Sequence, residues 1–144
     1  MIRSSKVLEA DKIKRHIAER WKDDVAAKVC NSIIDYIVSN PASRSRYLTY
    51  SALKRISRNV PAVSDDVYRA AALLSSRFSV LFLHFSFIDD SGKEYPLEDD
   101  DAKLILLDGW MDHPETRQRI TDIAEHLYPY YEGNKPILMS SAGE

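Results

Sequence analysis

The sequence predicts an α+β fold, predominantly helical, with one β-hairpin and helices on both sides of it. Apolar residues recur at three- and four-residue spacing through most of the chain. The stretch 78–88 breaks that rhythm: it is rich in β-branched and aromatic residues, apolar on both alternating faces. The turn signal Asp89-Asp90-Ser91-Gly92 follows it directly. With 144 residues, 44% of them apolar and only four glycines, the chain suits a single domain over 1–144 with one core.

The first helix is expected over 10–22, where Ile13, Ile17 and Trp21 recur every four residues. Val25, Val29, Ile33 and Ile37 give the second a stripe broad enough to lie deep in a core, with Cys30 as a buried apolar residue beside it. Asn40-Pro41 ends it, because the residue before a proline leaves the helical region. A loop or short strand over 42–50 leads to a short helix over 51–58, stopped by Asn59-Val60-Pro61. Ser64 is placed to cap the next helix, with Asp65 and Asp66 suited to the positive end of its dipole. That helix runs to about Ser76, with Val67, Ala71 and Leu74 inward.

The strand 78–88 is expected to be buried on much of both sides, and 93–97 to return as an edge strand because Pro96 lacks a donor. A further helix opens at 98–101, with Leu104, Ile105 and Leu107 inward and Gly109 as its C-terminal cap. Asp112-His113-Pro114-Glu115 has capping-box spacing for a last helix, whose core side is Ile120, Ile123 and Leu127. The ends, 1–8 and 132–144, are expected to be loosely ordered.

The order of the middle elements, a short helix, a longer helix and a hairpin over about 47–97, resembles a winged-helix unit, with 47–50 as its first strand. The resemblance implies a third helix over 65–76 that would enter a DNA groove and a wing tip near the phosphates. Here the helix begins Ser64-Asp65-Asp66 and the wing tip is Asp89-Asp90-Ser91-Gly92-Lys93-Glu94. Acidic residues oppose phosphate contacts, so the resemblance implies a fold and a protein-binding use more than groove binding.

Charge is divided along the chain. Residues 1–60 carry 13 Lys/Arg and 6 Asp/Glu, a balance of +7, and residues 61–144 carry 7 and 16, a balance of −9. Segregation of this kind points to partner-facing surfaces. Arg44, Arg46, Lys54, Arg55 and Arg58 form the tightest basic group and the candidate nucleic-acid site, with Tyr47 among them for stacking. Asp89, Asp90, Glu94, Asp99, Asp100 and Asp101, with Tyr128, Tyr130 and Tyr131, are the candidate protein-interaction residues.

No phosphate loop, nucleophile elbow or His-Glu-x-x-His is present. The Asp-x-Asp-x-Asp-Gly spacing of a calcium loop is absent, and the four histidines and one cysteine show no ligand spacing. No catalytic residue, metal or cofactor is therefore expected. The lone cysteine, the charged N-terminal region and the shortness of 78–88 fit a cytoplasmic protein off the membrane. The expected function is a non-catalytic interaction module, an adaptor or regulatory subunit with a protein partner. A small DNA-binding regulator, acting as a homodimer through residues 44–58, is the alternative.

Overall fold

A computed structural model of the chain describes residues 7–142. They form an α+β structure: α1 Glu9–Arg20, α2 Val25–Ser39, α3 Tyr50–Ile56, α4 Ser64–Ser76, β1 Leu81–Ile88, β2 Glu94–Pro96, α5 Asp99–Asp108, β3 Met111–Asp112, β4 Arg119–Ile120, β5 Leu127–Gly133 and α6 Lys135–Met139. The chain divides into two compact units: Met1–Phe82 with Tyr131–Glu144, and Leu83–Tyr130. The dividing points fall within β1 and β5.

The first unit is helical. Asp24 opens α2 by accepting the Ala26 N–H at 2.9 Å, and an extended Asn40 before Pro41 closes it. Between those ends Val29, Ile33, Ile34 and Ile37 are fully buried. Each such side chain contributes about 1.5–3 kcal/mol through burial. Thr49 caps α3 through the Ala52 N–H at 3.2 Å. In α4 the cap position falls on Val63 rather than Ser64, because Asp66 reaches back to the Val63 N–H at 3.0 Å. Cys30 is buried among these helices, and burial pushes its thiol up to about 12.

The segment 42–50 holds a 3-10 turn, Ala42–Ser45, and then no strand: Leu48 makes an isolated antiparallel bridge with Tyr131. The described part of the C-terminal end is also more ordered than its composition suggests. Asn134 caps α6 through the Ile137 N–H and donates to the Ser79 carbonyl at 2.9 Å, and Leu138 is fully buried. Leu8 bridges Ser141. Residues 1–6 and 143–144 lie outside the described residues. Gly133 sits so close to its neighbours that a Cβ there would stand 2.9 Å from Ser45 Cβ and 3.0 Å from Ile37.

The second unit is built on a sheet of order β2-β1-β5. β1 and β2 pair antiparallel, with Phe87 opposite Tyr95 and Ile88 opposite Glu94. β2 is an edge, so the donor missing from Pro96 costs nothing. Phe87, Met111, Ile123 and Leu127 form the core, with Phe85, Tyr95, Leu97, Ile105 and Ile120 packed around them.

Three expectations fail in this part of the chain. Phe82 and Leu83 are exposed, so β1 is not buried on both faces along its length. In α5, Ala102 is buried and Ile105 packs on the core, but Leu104 and Leu107 face away. Residues three apart share a helix side, so the pair 102/105 turns the pair 104/107 outward.

The last helix does not form. The His113 ring takes the N–H groups of Glu115 and Thr116 at 3.0 and 3.1 Å, and Arg117 adopts a left-handed φ of 65°. The chain turns back there, pairing Met111 with Ile120 and Asp112 with Arg119. Ile123 lies in a 3-10 turn and Leu127 opens β5.

Candidate functional site

The two groups of candidate residues fare differently. Among the basic residues, the 3-10 turn supplies Arg44, α3 supplies Arg55, and the residues just beyond α3 supply Arg58. All three line one cleft of about 380 Å³. Ala52, Arg55 and Ile56 stand at i, i+3 and i+4 on α3, which brings them to the same side. Leu48 and Ala52 are buried beneath the cleft, and Tyr36 of α2 and Tyr47 also line it. Arg46 and Lys54 do not. Among the described residues, none of the three arginines pairs with a carboxylate.

Arg69 of α4, by contrast, is engaged. It donates to Asp24 and reaches Asp66 at 3.4 Å. The Asp24 bond holds its guanidinium charged and lowers the Asp24 carboxyl. The helix that the winged-helix resemblance would send into a groove thus has its arginine tied to the first-turn acid Asp66 and to Asp24, the cap of α2.

The acidic group is split between supporting and displayed residues. Asp89 is a supporting residue: it accepts the N–H groups of Ser91 and Lys93 at 3.0 and 2.9 Å, the Ser91 hydroxyl at 2.6 Å, and His113 Nε2 at 2.9 Å. These bonds, the Ser91 hydroxyl foremost and then His113, hold its carboxyl well below the usual carboxylate range. Asp99 accepts from His84 Nδ1 at 2.8 Å. Asp90, Glu94, Asp100 and Asp101 are exposed.

The tyrosines also separate. Along β5 alternate side chains point to opposite faces, so Tyr128 and Tyr130 share one and Tyr131 takes the other. Tyr131 packs against the helical core, Tyr130 lies 5.3 Å from the His84 ring, and Tyr128 is exposed. Burial pushes the Tyr131 hydroxyl up.

Two features of the second unit were not legible beforehand. The first is a pair of histidines against Phe87, at ring distances of 5.5 Å for His113 and 5.6 Å for His126, around a cleft of about 170 Å³. Two backbone N–H groups at His113 Nδ1 make that atom an acceptor, so the proton sits on Nε2 and is donated to Asp89. Both nitrogens are thereby occupied. His126 donates from Nδ1 to the Ile88 carbonyl at 2.9 Å, with Asp122 3.3 Å and Asp90 3.7 Å from Nε2. The carbonyl bond first, then the two carboxylates, push its imidazole up. Only the contacts themselves reveal this arrangement, since residues 24 and 38 positions apart make them.

The second feature is α5. Leu104 is 58% exposed and Leu107 82%, with Leu106 also exposed and Asp100 and Asp101 one turn earlier. Beyond the helix, Arg119 stacks over Trp110 with its guanidinium carbon 3.9 Å from the ring centroid.

Among the described residues, no three His, Cys, Asp or Glu side chains are grouped to hold a metal ion, and no helix is long and apolar enough to cross a membrane. Comparison with protein-family profiles, with curated proteins and with solved structures finds no match.

Proposed function

We propose that this protein is a non-catalytic interaction module, an adaptor or regulatory subunit, that docks a protein partner on α5. The observation that carries the reading is the outward pair Leu104 and Leu107 beside Asp100 and Asp101. Apolar side chains displayed together favour a covering surface, and acidic neighbours select one with basic residues around an apolar centre. The engagement of both His113 nitrogens supports a structural rather than catalytic use of the buried histidine. The winged-helix-like reading of 47–97 rests on the order α3, α4, β1, β2; against it, the β1–β2 turn belongs to a different unit from the two helices. A cytoplasmic location accords with the single buried cysteine.

The test compares the intact chain with a Leu104→Ser, Leu107→Ser variant of matched folding. Partners captured by the intact chain should be lost from the variant and weakened by salt. Light scattering on both proteins reports whether a second copy uses the same face. An identical set of partners together with an unchanged oligomeric state would remove α5 from consideration.

A second reading, nucleic-acid binding, is favoured by the convergence of Arg44, Arg55 and Arg58 on one cleft. It expects salt-sensitive binding of random-sequence duplex DNA that Arg55→Glu and Arg58→Glu abolish. Binding that survives both substitutions would exclude that surface.

A further inference from the structure

We propose that the cleft between α2, the 42–45 turn and α3 binds a nucleoside phosphate, with its base over the apolar bottom and its phosphates on Arg44, Arg55 and Arg58. This inference is independent of the α5 reading and competes with the duplex-DNA one.

Three observations carry it. First, three arginines line one cleft, and among the described residues none of them pairs with a carboxylate. Like charges gathered without a counter-charge repel one another, and an anion relieves that repulsion. Guanidinium forks match the spacing of phosphate oxygens, which makes phosphate the favoured anion. Second, the cleft is too large for phosphate alone, and apolar residues lie beneath its polar rim. Its volume of about 380 Å³ lies within the usual range of small-molecule sites, roughly 300–1,000 Å³. Leu48 and Ala52 are buried at its base, Ile56 is half-buried, and Tyr36 and Tyr47 bring two aromatic rings. An aromatic base fits those surfaces by stacking and burial. Third, the site is concave. A DNA duplex presents its phosphates on a convex backbone and cannot lower a base into such a cleft without unpairing it.

A free nucleotide and a nucleotide within a single strand offer the same chemistry, and the test separates them. Calorimetric titrations of the full chain would use the four ribonucleoside 5′-monophosphates and triphosphates, inorganic phosphate, adenosine, phenyl phosphate, a single-stranded decanucleotide and a random-sequence duplex. At least one free nucleotide is expected to bind saturably, about tenfold or more tighter than phosphate, adenosine or phenyl phosphate. Arg55→Gln with Arg58→Gln should weaken it by about tenfold or more, since hydrogen bonds to charged groups are being removed. Circular dichroism establishes that the variant is folded, and Arg46→Gln, outside the cleft, should leave binding unchanged. Should the double variant not fold, Arg44→Gln alone replaces it and is expected to weaken the nucleotide several-fold.

Several results would overturn the proposal: no saturable binding of any free nucleotide, phosphate or phenyl phosphate binding as tightly as the nucleotides, affinity for the decanucleotide or the duplex alone, or nucleotide binding undiminished by the arginine substitutions. The α5 reading stands or falls separately, because its test concerns Leu104 and Leu107.

Discussion

The two units solve the same problem by different means. The first buries Ile17, Val29, Ile33, Ile34, Ile37, Leu53 and Leu74 completely, and side chains cap three of its helices: Asp24 on α2, Thr49 on α3 and Asn134 on α6. The second has four buried core side chains, Phe87, Met111, Ile123 and Leu127, and surrounds them with hydrogen-bonded polar groups. Asp89 fastens the β1–β2 turn to His113, His113 fastens the β3–β4 turn, and His126 fastens the end of β1. A small core is thus supplemented by side chains that satisfy turn backbone. Aliphatic packing tolerates loss at one point better than a core with a single large ring at its centre.

The largest effect expected follows from that difference. Phe87→Ala should cost about 3–5 kcal/mol and Ile34→Ala about 2–5 kcal/mol. Hydrogen exchange would sharpen the comparison: Phe87→Ala should release amides in 83–130 more than those of α2. Equal release in both would break the distinction between the units. Next in size is Gly133→Ala, where the added methyl meets Ser45 and Ile37; overpacking of this kind costs about 1–3 kcal/mol in a denaturant titration. A neutral result would mean that the first unit yields at β5.

A smaller effect is expected from His126. Its folded-state pKa lies above the unfolded value of about 6.5. Its contribution to stability is therefore fully present below about pH 6.5 and is lost as pH rises through the folded-state value. The urea midpoint should fall between about pH 5.5 and 8, and His126→Gln should reduce that fall. An equal fall in the variant would assign it to another group. The smallest effect belongs to Leu107→Ser, which should alter stability by no more than about 0.5 kcal/mol because the side chain has little to lose. A larger loss would show that α5 is covered in solution.

The first unit was largely legible in the sequence because its stability resides in periodicity. The stripe Val29, Ile33 and Ile37 and the stop at Asn40-Pro41 define α2, and the run ending at Ser76 defines α4. The second was legible in β1, β2 and the Gly109 cap, where local chemistry decides. It was illegible where distant contacts decide. The spacing of Ile120, Ile123 and Leu127 satisfies a helix as well as it satisfies a hairpin, a 3-10 turn and a strand. His113 settles the matter by bonding forward to its own turn and back to Asp89. The site was legible in the same proportion: five basic residues could be grouped by sequence, but only the folded turn and helix select Arg44, Arg55 and Arg58.

Cys30 has a practical corollary. It is the sole cysteine, and with its thiol pushed up to about 12 almost none of it is thiolate at neutral pH. Alkylating reagents must wait for the helices around it to part. Each molecule therefore carries one internal clock: the rate at which iodoacetamide labels this sulfur counts the openings of the first unit.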